Sequence, residues 1–256
     1  MPILLVLFAL GCMSDHKEHD HQDVYNETAL KDFVMASMGP GKQKVASEID
    51  SIIRDSENDS VVYKKTISFL TKAFGDPNSS FRNAELYSIL LHSLITSKWY
   101  SEAEKNLAQK RLQLLMQNNP GKPANDFSFV TPDGKTRRLY DIKAHNILLL
   151  FYNPECEACK EMKQRIENSS IINSKQHSGE LKVLAIYTDK DESIWRRHLG
   201  EMPIAWIHGR DENEYLYTNG VYDLRAIPTI YLLDKDKKVV LKDCMNLQDI
   251  IDKLNG

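Results

Sequence analysis

The sequence predicts an all-α domain followed by an α/β domain, whose mixed or parallel sheet is covered by helices on both faces. Apolar stripes at three- and four-residue spacing run through residues 24–119, as Ile67, Leu70 and Phe74 illustrate. A cluster of helix breakers, Asn118–Pro123, then interrupts the chain. Beyond it, continuous apolar runs of strand length alternate with helical stretches, which is typical of strands buried on both faces.

These runs predict the elements of the second domain, residues 120–256. Asn146–Tyr152 and Leu181–Tyr187 are continuous apolar runs of strand length. Shorter strands are expected at Ile204–Ile207, Thr229–Leu233 and Val239–Leu241, and helices at Glu155–Ser170, Asp191–Leu199, Glu212–Thr218 and Asn246–Leu254.

Composition and charge bound the function. A length of 256 residues suits one large domain or two ordinary ones. The formal net charge of −3, without a basic stripe interleaved with aromatic residues, argues against a nucleic-acid partner. The 4 cysteines are too few for a disulfide-framework protein of this length. Among them, only Cys244 has no evident role.

The first residues indicate a targeting segment. Residues 2–10 form the apolar run PILLVLFAL, which is too short to span a bilayer and has the length of a signal-peptide core. The segment Phe8–Cys12, with Gly11 before the cysteine, resembles a bacterial lipobox. That resemblance implies cleavage before Cys12 and lipidation of its thiol, so residues 1–12 are predicted to be a lipoprotein signal peptide.

A polar segment, residues 13–23, follows this cysteine and contains His16, His19 and His21. His-rich tracts can bind metal, but this one implies no fixed ligand geometry. We interpret it as a solvated tether between the lipid and the helical domain. We expect no bound metal and no cofactor in the protein.

The pair Cys156 and Cys159 carries the chemistry. This CxxC follows a predicted buried strand and opens a predicted helix. Unpaired N–H groups and partial positive charge at a helix amino terminus stabilise a thiolate, and the spacing brings both sulfurs within bonding reach across one turn. Cys156 is therefore predicted to be the exposed attacking thiol, and Cys159 the buried thiol that resolves the mixed disulfide.

Three other interpretations of the CxxC are less well supported. A zinc site needs a second ligand pair of similar spacing, and only Cys244 is left to supply it. A purely structural disulfide gains little stability from so short a loop. A peroxidase of the peroxiredoxin group needs Thr-x-x-Cys, whereas Asn153 stands three positions before Cys156.

A second motif, Ile227-Pro228-Thr229, opens the predicted strand TIYLLD, although proline is disfavoured inside central strands. An ordinary trans-proline strand start is one interpretation. The other follows from a resemblance to the TlpA/ResA-like branch of the thioredoxins, which are membrane-tethered extracytoplasmic proteins. It covers residues 120–256 and is carried by Pro123–Phe127, Asp133–Lys135, Leu139–Asp141, Ile147–Cys159 and Ile227–Asp234.

The resemblance implies a thioredoxin-like fold in which Pro228 is a cis-proline facing the CxxC. There it holds the substrate backbone beside the sulfurs and excludes metal from them. The chain departs from the family at Glu155, where the branch has tryptophan. Leu150 and Met162 stand in place of the buried carboxylates of thioredoxin and ResA-like proteins, which leaves Glu161 or a water molecule as the candidate proton relay.

Carboxylates beside the pair bear on the direction of electron flow. Glu155 and Glu157 flank Cys156, and with Glu161 they are the candidate redox-tuning residues. Negative charge beside a thiol disfavours its thiolate, whereas a strongly oxidising site owes its high potential to a stabilised reduced form. These carboxylates therefore predict a reductant.

The predicted function is thiol-disulfide exchange with other exported proteins, with electrons supplied by a membrane thiol donor. The protein is expected to be lipid-anchored in the cell envelope of a Gram-negative-type bacterium, facing the periplasm or the surface. The alternative is a binding module, in which the helical domain recognises a partner and the thioredoxin scaffold carries a weakly active CxxC.

Overall fold

The computed structural model describes residues 26–37 and 42–255, with side chains from residue 45 onward in the second range. The predicted signal peptide, its Cys12 and the tether of residues 13–23 lie outside the described residues. The chain divides into two compact units, one ending at Phe69 and the other beginning at Leu70.

Helices build the first unit. Helix α1 (Glu27–Ala36) begins after Asn26, whose side chain accepts a hydrogen bond of 3.0 Å from the backbone N–H of Ala29. Helix α2 spans Lys42–Ser56, and helix α3 (Ser60–Gly75) begins in this unit and ends in the second. The buried apolar side chains include Leu30, Val34, Ile49, Ile53, Tyr63 and Ile67.

The second unit adds two helices before its sheet. Helix α4 (Ala84–Thr96) is capped by Asn83, and helix α5 (Glu102–Leu115) begins with a capping box between Ser101 and Glu104. A Cβ atom on Gly75 would overlap the ring of Tyr87, so only glycine allows this approach of α3 and α4. These helices confirm the all-α prediction for the described part of residues 24–119.

A seven-stranded mixed sheet follows, in the order β2-β1-β5-β4-β3-β6-β7. Central strand β3 pairs in parallel with β4 and antiparallel with β6. The strands are β1 (Ser128–Val130), β2 (Thr136–Arg138), β3 (Asn146–Tyr152), β4 (Leu181–Tyr187), β5 (Ile207–Arg210), β6 (Thr229–Asp234) and β7 (Val239–Leu241).

The sheet is buried on both faces, as its continuous apolar strands predict. Alternate residues of β3 enter two separate cores, with Leu148, Leu150 and Tyr152 in one and Ile147, Leu149 and Phe151 in the other. The remaining helices are α6 (Glu157–Glu167), α7 (Ser170–His177), α8 (Glu192–His198), α9 (Tyr215–Thr218) and α10 (Leu247–Leu254).

Two predicted elements are wrong in detail. Ile204 is fully exposed in a turn, and the strand begins only at Ile207. Strand β5 contains Gly209, where a Cβ atom would overlap the Phe129 ring, so packing rather than an apolar run selects its sequence. The helix predicted at Glu212–Thr218 is interrupted, because Asn213 and Glu214 have left-handed φ angles of 59° and 53°.

Both edges of the sheet are short strands. At one edge, residues 121–124 run along β7: the N–H groups of Gly121 and Ala124 donate to the carbonyl oxygens of Val239 and Lys237, each at 2.8 Å. At the other edge, β2 is exposed throughout its three residues, Thr136-Arg137-Arg138.

Candidate active site

Strand β3 leads directly into the redox pair. After Tyr152 a tight turn forms, closed by a 3.1 Å hydrogen bond from the N–H of Cys156 to the carbonyl oxygen of Asn153. The Asn153 side chain also accepts a 2.8 Å hydrogen bond from the N–H of Glu155. Helix α6 begins at Glu157 with Cys156 as its N-cap. Cys156 therefore lies at the positive end of the helix dipole.

Cys156 is half-buried and faces the segment before β6. Its thiol donates to the carbonyl oxygen of Ile227, with 3.7 Å between Sγ and that oxygen. The peptide bond between Ile227 and Pro228 is cis. The fold thus brings together two motifs that are 71 positions apart in the sequence.

Cys159 lies one turn into α6 and is 2% exposed. Burial raises the pKa of the Cys159 thiol, and contact with Cys156 adds to this effect, while a backbone hydrogen bond from Asn153 opposes it. Cys156 and Cys159 are both free thiols in this structure. The pair therefore consists of one accessible sulfur and one sheltered sulfur that strongly favours its neutral form.

The three candidate redox-tuning carboxylates are all solvent-exposed. Glu155 and Glu157 flank Cys156, and Glu157 forms a 3.4 Å ion pair with Lys160, both side chains being largely in solvent. Glu161 is exposed on α6, whereas Leu150 and Met162 are buried in the core beside Cys159. Positions 150 and 162, both buried in this core, are therefore apolar.

A groove of about 490 Å³ opens beside Ile227. Asp189 and Glu214 bring carboxylates to it, and Tyr217 contributes a ring that is 59% exposed. Burial raises the pKa of nearby Tyr187, and the charges of Asp189, Asp191, Glu155 and Glu214 raise it further. Two carboxylates and the guanidinium of Arg225 therefore share this side of the site.

An ion-pair network, which no sequence motif indicated, holds the loop before Pro228. The guanidinium of Arg225 makes two hydrogen bonds to the Asp223 carboxylate, at 2.8 and 2.7 Å. Arg82, between α3 and α4, pairs with both Asp223 (3.7 Å) and Asp243. Arg225 also lies over the ring of Tyr87 on α4, 5.9 Å from its centroid.

A smaller cavity, of about 140 Å³, lies on the other side of the redox pair. Cys159 and Tyr152 form part of its wall, together with His198 and Glu201 from the end of α8 and the turn that follows. The sequence alone assigned no role to His198 or Glu201, because only the fold brings the end of α8 to the cavity that Cys159 lines.

Two features of the described residues bear on other functions. Within residues 26–37 and 42–255, no group of three or more His, Cys, Asp or Glu side chains is arranged to hold a metal ion. Over the same ranges, every helix is too short or too polar to cross a membrane. The third described cysteine, Cys244, is half-buried beyond β7, and its thiol donates to the carbonyl oxygen of Asn246 at 3.4 Å.

Two families match separate parts of the chain. Residues 14–118 match a domain of unknown function, DUF5106, and residues 145–239 match the family described as thioredoxin-like. The chain is also 28% identical over 123 residues to the thiol-disulfide oxidoreductase ResA of a Bacillus cereus strain, a match covering 48% of this chain and 68% of the relative.

Solved structures extend this likeness. The C-terminal domain of an uncharacterized protein from Bacteroides fragilis NCTC 9343 is 38% identical with a TM-score of 0.53, covering 54% of this chain and 99% of that one. A thioredoxin-like protein from Bacteroides caccae ATCC 43185 is 34% identical with a TM-score of 0.81, covering 94% of this chain and 86% of that one. The chain therefore belongs to the thioredoxin-like family.

Proposed function

We propose that Cys156 and Cys159 catalyse thiol-disulfide exchange with exported proteins, in the reducing direction. The observation that carries this proposal is the unequal pair: Cys156 is half-buried, caps α6 and contacts Ile227, whereas Cys159 is sheltered beneath it. A structural disulfide has no need for one accessible sulfur, whereas exchange with a protein substrate requires it.

The reaction begins with attack of the Cys156 thiolate on a substrate disulfide. One substrate sulfur bonds to Cys156, and the other leaves as a thiolate that takes up a proton. Cys159 then loses its proton and attacks Cys156, which releases the second substrate thiolate. The substrate gains two electrons and two protons, and the enzyme is left with a Cys156–Cys159 disulfide.

Pro228 and the carbonyl oxygen of Ile227 are assigned to substrate positioning. Cys156 already contacts that oxygen, so a substrate backbone lying along residues 226–228 would pass beside its sulfur. The exposed carboxylates of Glu155 and Glu157 support the reducing direction, since an oxidising site needs a stabilised reduced form and negative charge beside the pair works against one.

Reduction of the enzyme then requires a donor, which we assign to a thiol carrier in the membrane. We further propose that Cys12 is lipidated and anchors the protein in the envelope of a Gram-negative-type bacterium, facing the periplasm or the surface. The apolar run ending in Gly11-Cys12 supports this assignment. In this arrangement residues 24–119 form the helical domain and residues 120–256 the redox domain.

The test is capture of a disulfide-bonded protein, such as insulin, by variants of the chain in which one cysteine is replaced by serine. With dithiothreitol as the electron donor, the wild-type chain should catalyse the reduction of insulin, and Cys156→Ser should abolish that catalysis. Cys159→Ser should retain the first attack and accumulate a mixed disulfide on Cys156, visible on non-reducing gels. Cys244→Ser is the matched control and should leave turnover unchanged.

Two outcomes would contradict the proposal. Equal capture by the Cys156→Ser and Cys159→Ser variants would contradict the assignment of attacker and resolver. A wild-type chain that binds partners but reduces no disulfide would instead support the binding module.

A further inference from the structure

The resolving step requires a proton acceptor that the redox pair itself does not provide. Only a thiolate attacks a disulfide efficiently, yet Cys159 is 2% exposed and burial raises its pKa. Leu150 and Met162, which share its core, have no group that accepts a proton. Glu161 is solvent-exposed and does not belong to the wall of the cavity beside Cys159. The acceptor therefore has to reach Cys159 from another element.

The 140 Å³ cavity provides the route. Its wall includes Cys159 from α6, Tyr152 from β3, and His198 and Glu201 from the end of α8 and the turn that follows. A space of this size holds several water molecules, and the polar groups in its wall are suitable partners for them. His198 and Cys159 are thus linked through a cavity that can hold water.

His198 is oriented for this role by Glu201. The distance from His198 Nδ1 to Glu201 Oε1 is 3.0 Å. When Nδ1–H donates this bond, Nε2 of the neutral imidazole is the nitrogen left to accept a proton. The bond lowers the pKa of Glu201, and Lys163 and Lys160 add to that effect, so the carboxylate stays charged and stabilises an imidazolium.

Resting on the proposed function, we propose that His198 accepts the proton of Cys159 through a cavity water, with Glu201 as its positioning residue. The arrangement follows the logic of a nucleophile, a base and a carboxylate that orients the base. His198 lies at the end of α8, so the acceptor comes from a different element than the CxxC helix.

The resolving step moves one proton from Cys159 to His198 and replaces the mixed disulfide with the Cys156–Cys159 disulfide. A water takes the proton from Cys159 Sγ and passes one to His198 Nε2. The Cys159 thiolate forms a bond to Cys156 Sγ, and the bond from Cys156 to the substrate sulfur breaks. The substrate thiolate that leaves takes up the proton of the imidazolium, directly or through a cavity water, which restores neutral His198.

Other titratable and charged groups face the cavity and shape its pH response. Lys160 and Lys163 approach from α6, where they pair with Glu157 at 3.4 Å and Glu167 at 3.6 Å. Burial raises the pKa of Tyr152, so its hydroxyl remains a hydrogen-bond donor and does not compete as a base. The pH dependence of resolution is accordingly a property of the whole cavity wall and not of one group.

Stopped-flow reaction of the full-length chain with dithiodipyridine separates the two steps. Cys12→Ser and Cys244→Ser substitutions in every sample leave only the pair to react. The first thiopyridone released reports attack by Cys156, and the second reports resolution by Cys159. His198→Ala should slow the second release about 100-fold near neutral pH while the first is unchanged. Added imidazole should restore part of the second rate, and Glu201→Gln should slow it less.

His177→Ala, an exposed histidine on neighbouring α7, is the control and should match the parent protein in both steps. An unchanged second rate and pH profile in His198→Ala, or equal slowing of both steps, would overturn the proposal. His198→Gln, which preserves polarity at the site, keeps the test decisive should the alanine variant unfold. Failure of the first release in the parent protein would refute the proposed function itself.

Discussion

Arg225 Nη1 donates a 3.2 Å hydrogen bond to the carbonyl oxygen of Gly75, at the carboxyl end of α3. The same guanidinium holds Asp223 and lies over Tyr87, so the loop that leads into Pro228 is tied to the end of α3 and to α4. Because Cys156 contacts Ile227 in this loop, the geometry of the redox site depends on residues far from it in the sequence.

Arg225→Ala is expected to lower the free energy of unfolding by about 2–4 kcal/mol, since it leaves the buried Asp223 carboxylate without its main partner. Burial alone raises the pKa of Asp223, but Arg225 and Arg82 lower it overall. The pair therefore stabilises the fold above about pH 4 and loses that effect as the pH falls further. Urea unfolding measures the loss. Lys235→Ala, on an exposed turn, should change stability by less than about 0.5 kcal/mol.

We expect the Cys156–Cys159 pair to have a reduction potential of about −270 mV, the value of thioredoxin. Glu155→Gln and Glu157→Gln should each raise it by about 10–30 mV, because removing a carboxylate favours the thiolate and hence the reduced form. Equilibration against a series of glutathione or dithiothreitol buffers gives the midpoint. Glu167→Gln, at the far end of α6, is the control. A midpoint above about −180 mV would exclude the reductant assignment.

The buried carboxyl group of Asp211 should give the stability of the protein an unusual pH dependence. It is 1% exposed and accepts a hydrogen bond from the N–H of Leu216, yet burial raises its pKa to about 6. Between about pH 4 and 6 the folded state therefore holds a proton on Asp211 that the unfolded state has released. The free energy of unfolding consequently falls as the pH rises through this range. Asp211→Asn should remove that slope and gain about 1 kcal/mol at neutral pH.

Urea unfolding of both proteins across this pH range makes the comparison, with the exposed Asp252→Asn as control. Parallel pH profiles for wild type and Asp211→Asn would show that Asp211 is ionised throughout the range.

The apolar run that ends in Gly11-Cys12 predicts that the protein is attached to a membrane through Cys12. In a Gram-negative host the wild-type chain should fractionate with membranes and incorporate labelled fatty acid, and Cys12→Ser should abolish both. Stable attachment implies more than one acyl chain, because a single chain gives only marginal binding. Soluble, unlabelled wild-type protein would contradict the assignment, and Cys244→Ser controls for labelling of other thiols.

The sequence alone predicted much of the sheet and the position of the CxxC, because strands buried on both faces appear as unbroken apolar runs. Strand β5 was predicted three residues too early, because Gly209 is required by contact with Phe129, which is distant in sequence, and does not extend an apolar run. The same limit applies to the site. Gly75 and Arg225 are 150 positions apart, and nothing local in either segment indicates that they meet. In the sequence, His198 and Glu201 have the spacing of an ordinary surface pair. Only in the folded chain do they line the cavity beside Cys159.

The two edges of the sheet also determine how an extended polypeptide approaches it. Residues 121–124 already occupy the free side of β7, and the other edge is a three-residue strand carrying Arg137 and Arg138. Short, charged or covered edges oppose the addition of a further strand. Aggregation by pairing of sheet edges is thereby suppressed at both sides of the sheet.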